Sequence, residues 1–213
     1  MRSNAFGLAA ASRFFARAFV SLAVAATLFS ANSAQAATSK YAAIVIDVNS
    51  GKTMFSASAD APRYPASLTK MMTIYMLFEG LKTGKFSKNT PIQVSKHASS
   101  QAPSKLGLRP GQRITVETAI LALVTKSAND AAAASGEFLG GSEDRFAQMM
   151  TSKARRLGMS RTTFRNASGL PDPRQLTTAR DMATLGMALR AHTPGIDADL
   201  GAEESIERAV EAI

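Results

Sequence analysis

Ser67 and Lys70 stand three residues apart in the stretch Pro65-Ala66-Ser67-Leu68-Thr69-Lys70. A serine hydroxyl is a weak nucleophile until a neighbouring base takes its proton. A lysine can be that base once burial or nearby positive charge leaves it partly neutral. Residues three apart on a helix share a face, so a helical start would put the pair side by side. Pro65 suits such a start, because its missing N–H is not needed there. The positive end of the helix dipole would favour an alkoxide at Ser67 and disfavour an ammonium at Lys70. Sixty residues on, Ser127-Ala128-Asn129 falls in a short link between two expected helices. A hydroxyl and an amide held there could both face a cleft. Each motif alone is weak: a cap serine followed by a solvated lysine, or a cap at Ser127 or Asn129, is the commoner meaning. Occurring in this order, with helix between them, the two are more specific together.

The elements that must position these residues follow from patterning. Apolar residues fall at 68, 71, 72 and 74–78, leaving no polar stripe. This predicts a helix buried on all sides, ending between Gly80 and Gly84. Before it, Tyr41–Val48 and Lys52–Ala57 flank the turn Asn49-Ser50-Gly51 and predict a β-hairpin. Thr90–Ser95 reads as a short strand, and residues 97–111 as irregular. Thr115 is expected to cap a helix over Val116–Val124 and Ser142 to cap another ending at Gly158. Between them, Ala131–Leu139 reads as a helix stopped by Gly140-Gly141. After the long loop Ser160–Leu176, Thr178 and Asp181 predict a variant capping box for a helix reaching about Arg190. Glu203–Ile213 reads as a short amphipathic helix. No strand signal is evident after Arg190, and a lone two-stranded sheet is marginal.

Composition narrows the function. The 213 residues are 46% apolar and carry a net charge of +9. Arg2, Arg13 and Arg17 with no acid account for +3 within the first 36 residues, leaving +6 for the rest. There is no clustered basic stripe with interleaved aromatics, which argues against a nucleic-acid partner. Absence of cysteine removes disulfides and thiolate metal sites. His97 and His192 have no obvious partner and read as surface residues, so no metal or other cofactor is expected. The apolar run Ala18–Phe29 behind Arg13 and Arg17, followed by Ala34-Gln35-Ala36, predicts a secretory signal cleaved after Ala36. That run is too short to span a bilayer, which takes about 20 apolar residues. A periplasmic or secreted mature chain with no transmembrane segment is therefore expected.

Ser67-Leu68-Thr69-Lys70, Ser127-Ala128-Asn129-Asp130-Ala131, Lys153–Met159, Asn166-Ala167-Ser168-Gly169-Leu170 and Thr178-Ala179-Arg180-Asp181 occur in one order. On these residues, from about Tyr41 to Arg190, the chain resembles the D-alanyl-D-alanine carboxypeptidases of the low-molecular-mass penicillin-binding kind. The resemblance implies an α/β fold of the β-lactamase and penicillin-binding type, with an N-terminal hairpin and a helical subdomain. It divides the chain into a signal peptide (1–36), the N-terminal part of the transpeptidase-like domain (37–190) and a divergent tail (191–213). It implies Ser67 as nucleophile, Lys70 as base, Ser127 as proton relay and Asn129 as substrate-binding residue. The implied substrate is the peptidoglycan pentapeptide, and β-lactams are the implied inhibitors.

The family's third motif, Lys-Thr-Gly on a strand after Ser127-x-Asn129, is absent, and the later sheet strands are missing with it. A literal Lys82-Thr83-Gly84 precedes Ser127 and lies about 22 Å along a helix from Ser67 at 1.5 Å per residue. It reads as the end of that helix. The expectation is a truncated and impaired enzyme, with a non-catalytic remnant that binds wall peptide as the alternative. A class A β-lactamase would need a deacylating glutamate between Met159 and Thr178, where the only acid is Asp172.

Overall fold

The computed structural model describes residues 40–192. The expected signal, its cleavage point and the expected helix over 203–213 lie outside the described residues. Strands β1 (Ala43–Ile46) and β2 (Thr53–Ala57) form the expected antiparallel hairpin, pairing Val45 with Phe55 and shifting register before Ile46. The Asp47 carboxylate closes its turn by accepting from the Ser50 N–H at 2.7 Å. A 3₁₀ turn over Ala66–Thr69 then leads into α1 (Lys70–Lys82).

Next come β3 (Pro91–Gln93), α2 (Lys96–Ser99), β4 (Arg113–Thr115), α3 (Val116–Thr125), α4 (Asn129–Gly140), α5 (Glu143–Arg156) and α6 (Ala179–His192). Two of these elements depart from the sequence reading. The segment expected to be irregular contains α2, whose N-terminus is capped by the Ser95 hydroxyl accepting from Ala98 N–H at 2.9 Å. Arg113–Thr115 pairs with β3 as a second small hairpin, Ile92 opposite Ile114. Three residues are too few to show an alternating pattern, so β4 left no sequence signal.

Helix α1 is the centre of the packing. It touches α3, α4, α5 and α6, and Met72, Thr73, Ile74, Tyr75, Met76, Leu77 and Phe78 are all buried. This matches its all-apolar composition: a helix with no polar stripe is stable only when covered on every side. The caps also match. Thr115 accepts from Thr118 N–H at 3.0 Å, and Ser142 from Arg145 N–H at 3.3 Å. Thr178 accepts from Asp181 N–H at 3.0 Å, but the Asp181 carboxylate turns away from the helix end to Arg161 N–H and the Thr162 hydroxyl. Helix α4 is built from small residues, and at Gly140 a β-carbon would lie 2.7 Å from the Phe146 nitrogen. The missing side chain lets the N-terminal turn of α5 sit directly on α4, burying Phe146.

Helix α1 ends at Lys82, Thr83 is its C-cap residue, and Gly84 follows with φ +68°. Lys82-Thr83-Gly84 is therefore a helix terminus. Among the described residues no helix is long and apolar enough to cross a membrane.

Candidate active site

Ser67 lies in the 3₁₀ turn, one turn earlier than the α-helix proper, which begins at Lys70. The spacing alone predicts both residues on one helix. In a 3₁₀ turn side chains three apart eclipse one another, which puts Ser67 and Lys70 on one side of the chain. Ala66 adopts φ +46°, a left-handed conformation uncommon for an alanine. Pro65 is buried and its carbonyl accepts from Leu68 N–H at 3.1 Å, so the turn is fixed on both sides of Ser67. Ser67 itself is exposed, and Lys70 is only 3% exposed.

The loop after α5 closes over Lys70. The Lys70 ammonium donates to the Ser168 carbonyl at 2.7 Å. The Thr73 hydroxyl, one turn along α1, donates to the Ala167 carbonyl at 2.8 Å. Gly169 lies flat against the Ala66 carbonyl, where any β-carbon would collide. Asn166 braces the loop by accepting from Gly169 N–H at 2.7 Å. Burial pushes the Lys70 ammonium down from 10.5 to about 8. At pH 7 roughly one-tenth of such a group is neutral, the form that can accept a proton.

Ser127 and Asn129 stand at the junction of α3 and α4, and α4 packs against α1. Ser127 has φ +53° and is half-buried; the N-cap position belongs to Ala128, which makes no side-chain cap. Neither Ser127 nor Asn129 is therefore spent on capping. Asn129 is buried and fixed twice: its side-chain amide donates to the Ala102 carbonyl at 2.8 Å and its backbone N–H to the Ser104 carbonyl at 2.7 Å. Beside it, the wholly buried Asp130 carboxylate accepts from the N–H groups of Leu106, Gly107 and Leu108 at 2.9–3.0 Å. Asp130 thus holds the 102–108 segment that in turn holds Asn129.

A groove of about 390 Å³ opens beside the Ser67 turn, between Tyr64–Ala66 on one wall and Gly169–Gln175 on the other. Among the described residues no group of three or more His, Cys, Asp and Glu side chains is gathered to hold a metal ion.

Some residues around the site have no role from sequence alone. Thr73, Ser168 and Gly169 act through their contacts with residues about one hundred positions away, and no local pattern reports such pairs. His97 is expected from sequence to lack a partner; its Nε2 instead lies 2.6 Å from the Glu143 carboxylate. The side chain of His192 lies outside the described residues.

The architecture is that of the penicillin-binding proteins. It matches the crystal structure of the D-alanyl-D-alanine carboxypeptidase DacD from Francisella tularensis with a TM-score of 0.68 and 36% identity, over 69% of this chain and 36% of that one. It matches penicillin-binding protein D2 from Listeria monocytogenes, in its ampicillin-bound form, with a TM-score of 0.60 and 30% identity, over 73% and 63% of the two chains. The D-alanyl-D-alanine carboxypeptidase DacA of Escherichia coli is 38% identical over 157 residues, which are 71% of this chain and 39% of that protein. A family model described as D-alanyl-D-alanine carboxypeptidase matches residues 27–198, and the chain belongs to that family. It spans about two-fifths of the length of the curated relatives it matches.

Proposed function

We propose that this chain is an exported serine-type D-Ala-D-Ala carboxypeptidase acting on peptidoglycan stem pentapeptides. One observation carries the reading: an exposed Ser67 on a braced turn, three residues before a lysine whose ammonium is held near pH 8 by burial. Lys70 takes the Ser67 proton as the serine oxygen attacks the carbonyl of the terminal D-Ala–D-Ala bond. The Ser67 N–H supplies one donor to the oxyanion. Ser127 passes a proton to the departing D-alanine amine, and Asn129 holds the substrate amide. Water, deprotonated at Lys70, then cleaves the Ser67 ester and releases the shortened peptide. β-Lactams acylate the same serine.

The test is labelling of the full chain with a fluorescent penicillin, followed by peptide mass spectrometry. A single adduct on Ser67, lost in Ser67→Ala, is expected together with D-alanine release from a pentapeptide. An adduct on another residue, or none, removes the reading. Export is tested by N-terminal sequencing of secreted protein, which is expected to begin at Ala37.

A second reading is a non-catalytic module that binds wall peptide. Binding of a pentapeptide without D-alanine release and without penicillin adduct is the outcome that selects it.

A further inference from the structure

The loop that seats Lys70 is itself held from behind. The Ala167 N–H donates to Glu143 Oε1 at 2.9 Å, while Ala167 and Ser168 present their carbonyls to Thr73 and Lys70 on the other side. Glu143 is the first residue of α5, and its side chain is 11% exposed. Its second oxygen, Oε2, meets His97 Nε2 at 2.6 Å. His97 sits on α2, at the start of the segment whose Ala102 and Ser104 carbonyls hold Asn129. One carboxylate therefore fastens the loop that covers Lys70 to the segment that bears on Asn129.

We infer that Glu143 is a positioning residue of the Ser67 and Lys70 site, holding the 166–169 loop over Lys70, with His97 fixing the carboxylate's outer oxygen. This deepens the hydrolase reading, on which it rests, by naming what sets the basicity of its base. The chemistry is direct. A carboxylate accepting a backbone N–H makes one of the stronger hydrogen bonds available, and this one is shielded from water. Without it the Ala167–Ser168 backbone loses its hydrogen bond from the α5 side and keeps those to α1 and within its own loop. Water then reaches the Lys70 ammonium, and the burial that disfavours its charge is relieved.

His97 makes the tether sensitive to pH. It faces Glu143 and Asp144 on α5, Glu137 on α4 and the Gln101 amide of its own segment, and these carboxylates favour its protonated form. The Glu137 carboxylate also accepts from the Ser95 hydroxyl at 2.9 Å, so it is held in place beside the imidazole. As His97 loses its proton, the charge drawing on Glu143 falls and the same carboxylate interacts differently with Ala167 N–H.

The experiment is an NMR titration of the full chain, following the Lys70 side-chain Cε and Nζ signals, assigned by their loss in Lys70→Met. In Glu143→Ala the Lys70 midpoint is expected to rise from about 8 by half a unit or more, and penicillin acylation at pH 7 to fall at least threefold. In Glu143→Gln, which keeps an acceptor for Ala167 N–H, both are expected to return most of the way. An unchanged or lowered Lys70 midpoint in a folded Glu143→Ala overturns the inference, because a merely structural glutamate would alter stability and leave that midpoint alone. The unsubstituted protein offers a second test should Glu143→Ala not fold. Its Ala167 amide signal is expected to titrate with the His97 midpoint, and a flat Ala167 signal through that range overturns the inference. Failure of penicillin to label the unsubstituted protein would count against the hydrolase reading alone, since both titrations are read without turnover.

Discussion

The backbone of Gly169 lies against the carbonyl of Ala66, so close that a β-carbon at 169 would sit 1.8 Å from the Ala66 oxygen. Gly169 also adopts φ +90°, a conformation that side chains resist. The residue before Ser67 and the loop that covers Lys70 thus leave no room for a larger residue at this position. Gly169→Ala is expected to cost about 2 kcal/mol or more, combining backbone strain with overpacking. It should slow Ser67 acylation at least tenfold by displacing the turn. Urea unfolding and penicillin labelling measure the two effects; an unaltered acylation rate would show that the contact does not reach Ser67.

The Lys70 ammonium titrates at about 8 in the folded protein, against 10.5 for a fully solvated lysine. If the neutral amine is the base, as proposed, Ser67 acylation should climb nearly tenfold per pH unit below 8 and level off above it. Stability carries the same sign. Between pH 8 and 10.5 the unfolded chain binds the extra proton, so stability rises with pH across that window and is lost as pH falls towards 8. Lys70→Met should abolish both the acylation and this rise. A labelling rate flat from pH 6 to 9 would point to another base.

Asp130 gathers the N–H groups of Leu106, Gly107 and Leu108 with a carboxylate that has no exposed surface. Asp130→Ala leaves those donors buried without an acceptor and is expected to destabilise the fold by roughly 3 kcal/mol. Asp130→Asn keeps one acceptor oxygen and should cost less. Because the freed segment also carries Ala102 and Ser104, Asn129 loses its supports, and pentapeptide binding should weaken even where the variant is folded. Equal chemical stability of Asp130→Ala and the unsubstituted chain would contradict this role for the carboxylate.

Lys82→Ala is the contrasting case. Lys82 is exposed at the end of α1, a full helix away from Ser67. Stability is expected to change by about 0.5 kcal/mol or less, and acylation by less than twofold. A loss comparable to that in Lys70→Met would mean that Lys82-Thr83-Gly84 takes part in the site after all.

The sequence by itself determined the reactive residue types, their spacing and the elements whose signals are local. Thr115 and Ser142 announce helix starts because a cap is satisfied within three residues of itself. The unbroken apolar run after Lys70 announces a central helix because nothing else can cover it. Strand β4 and the four-residue α2 are too short for periodicity to register, so β4 is defined by its pairing with β3 and α2 by its packing on α4. The state of the site was decided by tertiary structure alone. Lys70 is a common surface residue until Ser168, 98 positions away, closes over it. Glu143 is a favourable first-turn charge of a helix until Ala167 and His97 arrive at its two oxygens. A pKa shift arises from the loss of water around a charge, and that loss depends on which distant backbone occupies the space. Patterns running along the chain carry no record of it.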